Sequence, residues 1–188
     1  MLASQMATQA RRPPQPRPLG VMVGLYLVAL LAACSGGTPP DEWAGEVCAA
    51  LKPWRGKIDS LNASAQQSVS SATSPAQTRD GLLELLSGAE SATESARNAV
   101  ASAGTPDVDG GADVARRFEG ALAGARDAYA RARVDLQALP TQDADAFYDG
   151  VVAVVGRLGE AYASSALDTT ELDSQTLREA FDRAPQCR

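Results

Sequence analysis

Apolar residues recur at intervals of three and four positions along most of the chain beyond residue 40. This interval places side chains on one face of an α-helix. The most regular run takes alternating steps of four and three, at Leu82, Leu86, Ala89, Thr93, Ala96, Val100 and Ala103. The alternation typical of a β-strand is missing, except in an apolar run at 151–155 that continues into helical spacing on both sides. We therefore predict an all-α fold.

Proline and cap residues divide this pattern into four long helical segments and a short fifth one. The first follows Pro39-Pro40 and contains Pro53, where we expect a kink or break around Leu51–Lys52 because proline disturbs a helix interior. The second starts with Ser74 as cap and Pro75 at the first helical position. The later boundaries are Gly104 after the second segment, Pro140 after the third, Thr141 or Asp143 before the fourth, and about 171–183 for the fifth.

Short connections between long amphipathic segments favour an up-down bundle of four long helices plus a short C-terminal helix. Alanine-rich seams allow such helices to approach one another closely. A continuous extended coiled coil is the alternative, and the interruptions by Pro and Gly count against it. We assign the bundle domain to residues 41–188.

The N-terminal region has the layout of a secretory signal. Residues 1–20 carry three arginines and no acid, and Val21–Ala33 is an uncharged apolar run of 13 residues. A membrane-spanning helix needs about 20 apolar residues, so this run is too short to span. A basic region followed by a short apolar one is typical of a signal peptide. Arg11-Arg12 leaves a twin-arginine export signal as a weaker alternative.

The end of the apolar run carries a more specific motif, Leu31-Ala32-Ala33-Cys34, followed by Ser35-Gly36-Gly37. The motif resembles the lipobox of bacterial lipoproteins. The resemblance implies transfer of diacylglycerol to the Cys34 thiol and cleavage before it. It also implies a signal peptide at 1–33, a lipidated tether at 34–40 and anchoring on the extracytoplasmic face of the cell membrane. The alternative is a secreted protein with a chance cysteine at this position.

Cys48 and Cys187 remain as an even pair once Cys34 carries lipid. In an oxidising compartment such a pair predicts a disulfide. Closing a loop of about 140 residues would contribute roughly 5 kcal/mol in the chain-entropy model. A redox-active pair is the alternative, but those cysteines usually lie in a Cys-x-x-Cys motif. With the lipobox, the Val47-Cys48 helix and Pro185-Gln186-Cys187 resemble features of the Ala-rich helical lipoproteins of actinobacteria.

Composition narrows the chemistry. The chain has no His among its 188 residues, which excludes a Ser-His-Asp triad and any His-ligated zinc, haem or di-iron site. All 23 acids lie beyond Cys34 but only 14 of the 17 bases do, so the chain from Cys34 onward has a net charge of -9. This balance argues against a nucleic-acid partner, which would need a basic surface.

Acidic clusters offer no specific metal motif. Asp107-Val108-Asp109-Gly110-Gly111 resembles the opening of a calcium loop, but Ala112 and Phe118 stand where an EF-hand needs Gly and Glu. We interpret it as a turn, and Asp143, Asp145 and Asp149 as acids at a helix start. We expect no metal, no cofactor except the diacylglycerol on Cys34, and no enzymatic activity. A hydrolase that uses paired carboxylates is the enzyme alternative left open.

Four residues are candidate contacts. Trp43 and Trp54 share one helix face, as core anchors or as contacts to a membrane or ligand. Arg116 and Arg117 belong to a basic stretch, as a solvated ion-paired face or as a docking patch for an acidic polymer. We predict a non-enzymatic binding or scaffold module that contacts an envelope protein or polymer. The alternative is a carrier of a lipid or small apolar ligand in the bundle core, which an apolar cavity would favour.

Overall fold

Five helices make up the part of the chain that the computed structural model describes, which is residues 36–165, 172 and 174–188. They are α1 (Pro40–Ser71), α2 (Pro75–Ser102), α3 (Gly111–Gln137), α4 (Ala144–Ser165) and α5 (Gln175–Arg183), followed by a 3₁₀ turn at Pro185–Cys187. No strand occurs in these ranges, where β-pairing is limited to an isolated bridge between Thr38 and Pro106. The residues of the predicted lipobox, which are Leu31, Ala32, Ala33 and Cys34, lie outside the described residues.

Each long helix packs against the next one along the chain, and α5 with the 3₁₀ turn packs against α1. The predicted up-down helical bundle is thereby confirmed. Its interior contains two clusters of buried side chains. The first cluster joins α1, α2, α3 and α5 through Trp43, Val47, Ala96, Val100, Val114, Phe118, Leu122 and Leu177. The second joins α2, α3 and α4 through Leu86, Ala132, Leu136 and Val154.

The starts of α2 and α4 follow the predicted cap chemistry. The Ser74 hydroxyl accepts a hydrogen bond from the Gln77 amide at 3.3 Å, as expected for an N-cap. Of the two residues considered for α4, Asp143 caps the helix, because its carboxylate accepts from the Ala146 amide at 3.1 Å. These bonds satisfy amides that have no partner inside their helix.

Of the kink or break expected around Leu51–Lys52, the break is wrong, since α1 continues through Pro53 to Ser71. Proline removes one intrahelical hydrogen bond. Packing on both sides of Pro53 offsets that cost, because Trp43 and Val47 are buried before it and Ala65 is buried after it. Tertiary burial of one continuous face therefore outweighs the local preference of proline.

The segment before α1 is part of the folded unit. Thr38 donates its amide to the Thr105 carbonyl at 2.7 Å, and its carbonyl accepts from the Asp107 amide at 2.8 Å. Its hydroxyl donates to the Ala103 carbonyl at 2.8 Å. The compact unit starts at Gly37, so the latter part of the predicted tether 34–40 is held against the α2–α3 connection. The sequence pattern contained no signal for this, because the partners are 65 or more positions away.

Candidate functional site

The predicted disulfide between Cys48 and Cys187 is present and joins α1 to the 3₁₀ turn across 139 positions. Cys48 is buried. Beside the disulfide, the Arg183 guanidinium of α5 donates to the Asp41 carboxylate of α1 at 2.7 Å. The disulfide and this ion pair attach the C-terminal segment to the first helix. Their role is therefore structural.

Trp43 lies in the core with none of its surface exposed. Its indole Nε1 donates to the Gly104 carbonyl at 2.9 Å. Its ring meets those of Phe118 and Phe181 edge-on, with centroids 5.2 and 5.9 Å away. Of the two roles considered for Trp43, it has the core-anchor one, and in this fold it has no surface with which to contact a partner.

Trp54 lies on the same face of α1 but is only half buried. Its Nε1 donates to the Thr93 hydroxyl oxygen at 3.0 Å, and the fully buried Thr93 hydroxyl donates to the Ala89 carbonyl at 2.7 Å. These bonds fix the orientation of the indole. One side of the ring is left to line a groove between α1 and α2.

This α1–α2 groove has a volume of about 560 Å³. Its α2 wall contains only small residues, and its α1 wall adds two alanines, Pro53, Trp54 and Lys57. Lys57 is the one charged residue among those lining the groove, and it is exposed. Small side chains on α2 and a locked indole on α1 thus create a mostly apolar groove, whose described lining has a single cation.

Arg116 and Arg117 are both exposed near the start of α3. Arg116 forms an ion pair with Asp113, one turn earlier on the same helix. Further along α3, the Arg126 guanidinium contacts Glu94 of α2 at 2.8 Å, and Arg133 contacts Glu90 of α2 at 3.0 Å. These ion pairs favour a solvated, paired face over a docking patch for an acidic polymer.

Glu94 has the most strongly shifted pKa. The Arg97 guanidinium donates to its carboxylate at 2.6 Å, and Arg126 donates at 2.8 Å. These hydrogen bonds, the one from Arg97 above all, lower the pKa of Glu94 from 4.5 to about 2. A carboxylate with this pKa stays ionised near neutral pH. It therefore joins α2 to α3 electrostatically and has no proton to offer as a general acid.

The acidic clusters show no arrangement for a metal. Asp107 and Asp109 lie in the α2–α3 turn, where Gly110 has the left-handed φ of 71° that the turn requires. Over the described ranges, no group of three or more His, Cys, Asp or Glu residues is arranged to hold a metal ion. None of the helices described here is long and apolar enough to cross a membrane.

A surface on α4 was missed by the sequence reasoning. Tyr148, Val152, Val155 and Tyr162 are 46%, 72%, 57% and 39% exposed, and we call them the α4 stripe. Phe147 and Val154, from the apolar face predicted for α4, are buried as predicted. The signal was the run Val151–Val155, which is too apolar for a helix with only one buried face.

No protein-family model, no curated protein and no solved structure matches this chain.

Proposed function

We propose that the chain is a lipid-anchored binding or scaffold module on the extracytoplasmic face of the membrane. One observation carries this proposal: the folded unit starts at Gly37, three positions after the lipobox cysteine Cys34. A link of three residues spans at most about 11 Å. A diacylglycerol on Cys34 would therefore keep the folded unit beside the bilayer, with little length for it to move away.

The charge distribution supports the need for a covalent anchor. Cleavage before Cys34 would remove Arg11, Arg12 and Arg17 and leave a net charge of -9. Anionic headgroups repel such a chain, so electrostatic attraction would not hold it at the membrane. Diacylglycerol supplies two acyl chains at once, which is the number that stable anchoring requires.

The interior of the bundle supports binding through the outer surfaces. The largest side chains with essentially no exposure are Trp43, Phe147, Leu136 and Leu177. Trp43 and Leu177 belong to the first cluster and Leu136 to the second, together with alanines that let the helices approach closely. A partner such as an envelope protein or polymer would therefore meet helix faces and not the bundle core.

Incorporation of labelled palmitate into the full-length protein in its native host tests the anchor. We expect label in the wild type, which stays in the membrane fraction, and none in Cys34→Ala, which is released. Ser35→Ala is the matched control and should behave like the wild type. An unlabelled wild type, or a Cys34→Ala variant that remains fully membrane-bound, would contradict the proposal.

The α1–α2 groove favours a second candidate function, the binding of a lipid or small apolar ligand. Its volume of about 560 Å³ lies within the roughly 300–1,000 Å³ typical of small-molecule sites. The groove is on the surface between two helices, whereas the sequence interpretation assumed a ligand in the core. Its apolar lining with a single Lys57 suits one acyl chain that ends in an anionic group.

Binding of a fluorescent long-chain fatty acid tests this second function, with the corresponding alcohol as the uncharged probe. We expect Ala92→Trp to abolish binding of both probes by filling the groove, whereas Ala63→Trp, at an exposed position on α1, should leave it unchanged. Lys57→Gln should weaken the acid and spare the alcohol. Equal binding by wild type and Ala92→Trp would exclude the groove as the site.

A further inference from the structure

The α4 stripe is a continuous apolar line. Tyr148, Val152, Val155 and Tyr162 follow steps of four, three and seven residues, and steps of this kind return to the same side of an α-helix. At 1.5 Å per residue the stripe is about 21 Å long. Four of the six exposed large apolar residues in the described part of the chain lie on it. A contiguous line of this kind marks an interaction surface more often than scattered apolar residues do.

Tyr162, at the C-terminal end of the stripe, lies against Tyr129 of α3, with ring centroids 6.5 Å apart. Tyr148, Val152 and Val155 are the members of the stripe that the described elements leave most exposed. Helix α4 packs against α3 through its buried residues, and its contact with α2 is small. The packing face includes Phe147, Val151, Val154 and Leu158, about 60° to 120° around the helix from Tyr148. The apolar arc of α4 is therefore broader than the part that the bundle buries. An edge helix with this composition is built to bury the rest of its apolar arc against something else.

Acidic residues follow one border of the stripe. By helical rotation, Asp145, Asp149 and Glu160 lie about 60° to 120° from the line through Tyr148, all on the same side. All three are exposed, and none forms an ion pair with another described residue. The one arginine of α4, Arg157, lies on the opposite side and is engaged by Asp135 of α3 at 3.0 Å. The border is therefore a line of uncompensated negative charge.

We propose that the α4 stripe docks an amphipathic α-helix of a partner protein. The partner helix would carry apolar residues at steps of three and four and Lys or Arg along the edge that meets Asp145, Asp149 and Glu160. This inference specifies the partner of the proposed binding module and rests on that function. A partner helix of about 14 residues would cover the 21 Å stripe, in the manner of helix pairs that interlock through heptad positions.

The acidic border favours a basic partner helix over two other possible occupants of the stripe, a second copy of the chain and a membrane surface. An antiparallel second copy would bring the acidic border against itself, and like charges at an interface oppose association. Anionic headgroups would repel the same border, which disfavours insertion of α4 into a membrane surface. A basic helix is the occupant that both buries the apolar line and neutralises the acids.

Fluorescence anisotropy with designed peptides tests the proposal. The protein is the full-length chain with Cys34→Ala, purified under oxidising conditions, so that no detergent competes for apolar surface. The probe is an 18-residue amphipathic peptide with Leu on one face and Lys along its borders. Its matched control has Glu in place of Lys. We expect saturable binding of the Lys peptide that weakens as salt rises, and at least tenfold weaker binding of the Glu peptide.

Three variants locate the binding site. Val152→Asp with Val155→Asp should weaken the Lys peptide at least tenfold, and Asp145→Asn, Asp149→Asn and Glu160→Gln together should remove most of its salt dependence. Val134→Asp is the control, because Val134 is 58% exposed but lies on α3. Circular dichroism checks that each variant folds, which is expected because the substituted side chains are exposed.

Several outcomes would overturn the proposal. One is absence of saturable binding by the wild type, and another is equal binding by the Val152→Asp, Val155→Asp variant. A dimer in sedimentation velocity that this variant abolishes would assign the stripe to a second copy, and binding to anionic vesicles that it abolishes would assign it to a membrane. Since the protein in this assay has no anchor, failure of palmitate labelling would leave the binding result intact and challenge only the proposed anchoring.

Discussion

The indole Nε1 of Trp43 donates a 2.9 Å hydrogen bond to the carbonyl oxygen of Gly104. This bond connects the first turn of α1 to a residue two positions beyond the end of α2, across 61 positions of sequence. Thr38, held to Ala103 and Thr105, lies next to it. The start of the folded unit and the α2–α3 connection are thus one structural site, centred on a tryptophan with no exposed surface.

Removal of this tryptophan should be among the most destabilising single substitutions. Trp43→Ala leaves a large cavity beside the stacked rings of Phe118 and Phe181 and should lower the free energy of unfolding by about 3–5 kcal/mol. Urea denaturation followed by circular dichroism measures this change. Tyr148→Ala, at an exposed aromatic of α4, is the control and should change stability by less than about 1 kcal/mol. A similar loss in both variants would argue against Trp43 as the core anchor.

The disulfide should contribute measurably to stability because it closes a loop of 139 positions. Replacement of both Cys48 and Cys187 by Ala should cost about 2–5 kcal/mol. Urea denaturation with and without dithiothreitol is the measurement: reductant should destabilise the wild type and leave the double variant unchanged. Two free thiols in the mass spectrum of the non-reduced protein would contradict the bond itself.

Alanine substitutions at two glycines of α3 should change the stability of the protein in opposite directions. A Cβ on Gly111 would overlap the carbonyl oxygen of Pro106, so Gly111→Ala should destabilise the protein by about 1–3 kcal/mol. A Cβ on Gly120 meets nothing within 4 Å in the middle of α3, so Gly120→Ala should stabilise by about 0.5–1 kcal/mol through helix propensity. Thermal unfolding of the two variants measures the direction of each change. An unfolding temperature that shifts in the same direction for both would refute the close approach at Gly111.

Glu94 should make stability depend on acid pH. Its pKa is lowered from 4.5 to about 2 in the folded protein, mainly by Arg97 and then by Arg126. The stabilisation from the ionised carboxylate is therefore complete above about pH 4.5 and is lost as pH falls toward 2. The urea midpoints of wild type and Glu94→Gln should differ near neutral pH and converge toward pH 2.

The effect should be modest and sensitive to salt, because the Glu94 side chain is 35% exposed and screening weakens such pairs. Glu84→Gln, at an exposed glutamate on the same helix, is the control for the removal of a surface carboxylate. If the urea midpoint of Glu94→Gln differs from that of the wild type by the same amount at every pH, the bridge to Arg97 and Arg126 is ruled out.

Much of the fold was predictable because helical periodicity is a local property. The stripe predicted for α2 is buried at six of its seven positions, which are Leu86, Ala89, Thr93, Ala96, Val100 and Ala103. Ser74-Pro75 marked the start of α2 for an equally local reason, since the cap bonds form within one turn. The pairing of Cys48 with Cys187 followed from elimination once Cys34 was assigned to lipid, and the structure confirms it.

The candidate surfaces were less predictable because they depend on neighbours that are distant in sequence. Trp43 and Trp54 belong to the same apolar face of α1. The first is enclosed by Phe118 and Phe181 from two other helices, whereas the second faces only small residues of α2 and borders a groove. Identical local patterns therefore led to a core anchor and to a groove wall.

The sequence by itself determined which residues form helices, which face of each helix is most apolar and which cysteines remain to pair. These properties depend on backbone geometry and on side chains within a few positions. Only the tertiary structure decided that α1 continues through Pro53, that Thr38 belongs to the folded unit and that α4 keeps part of its apolar arc exposed. Each of these depends on which helix packs beside which, and burial between distant segments contributes more free energy than local preference.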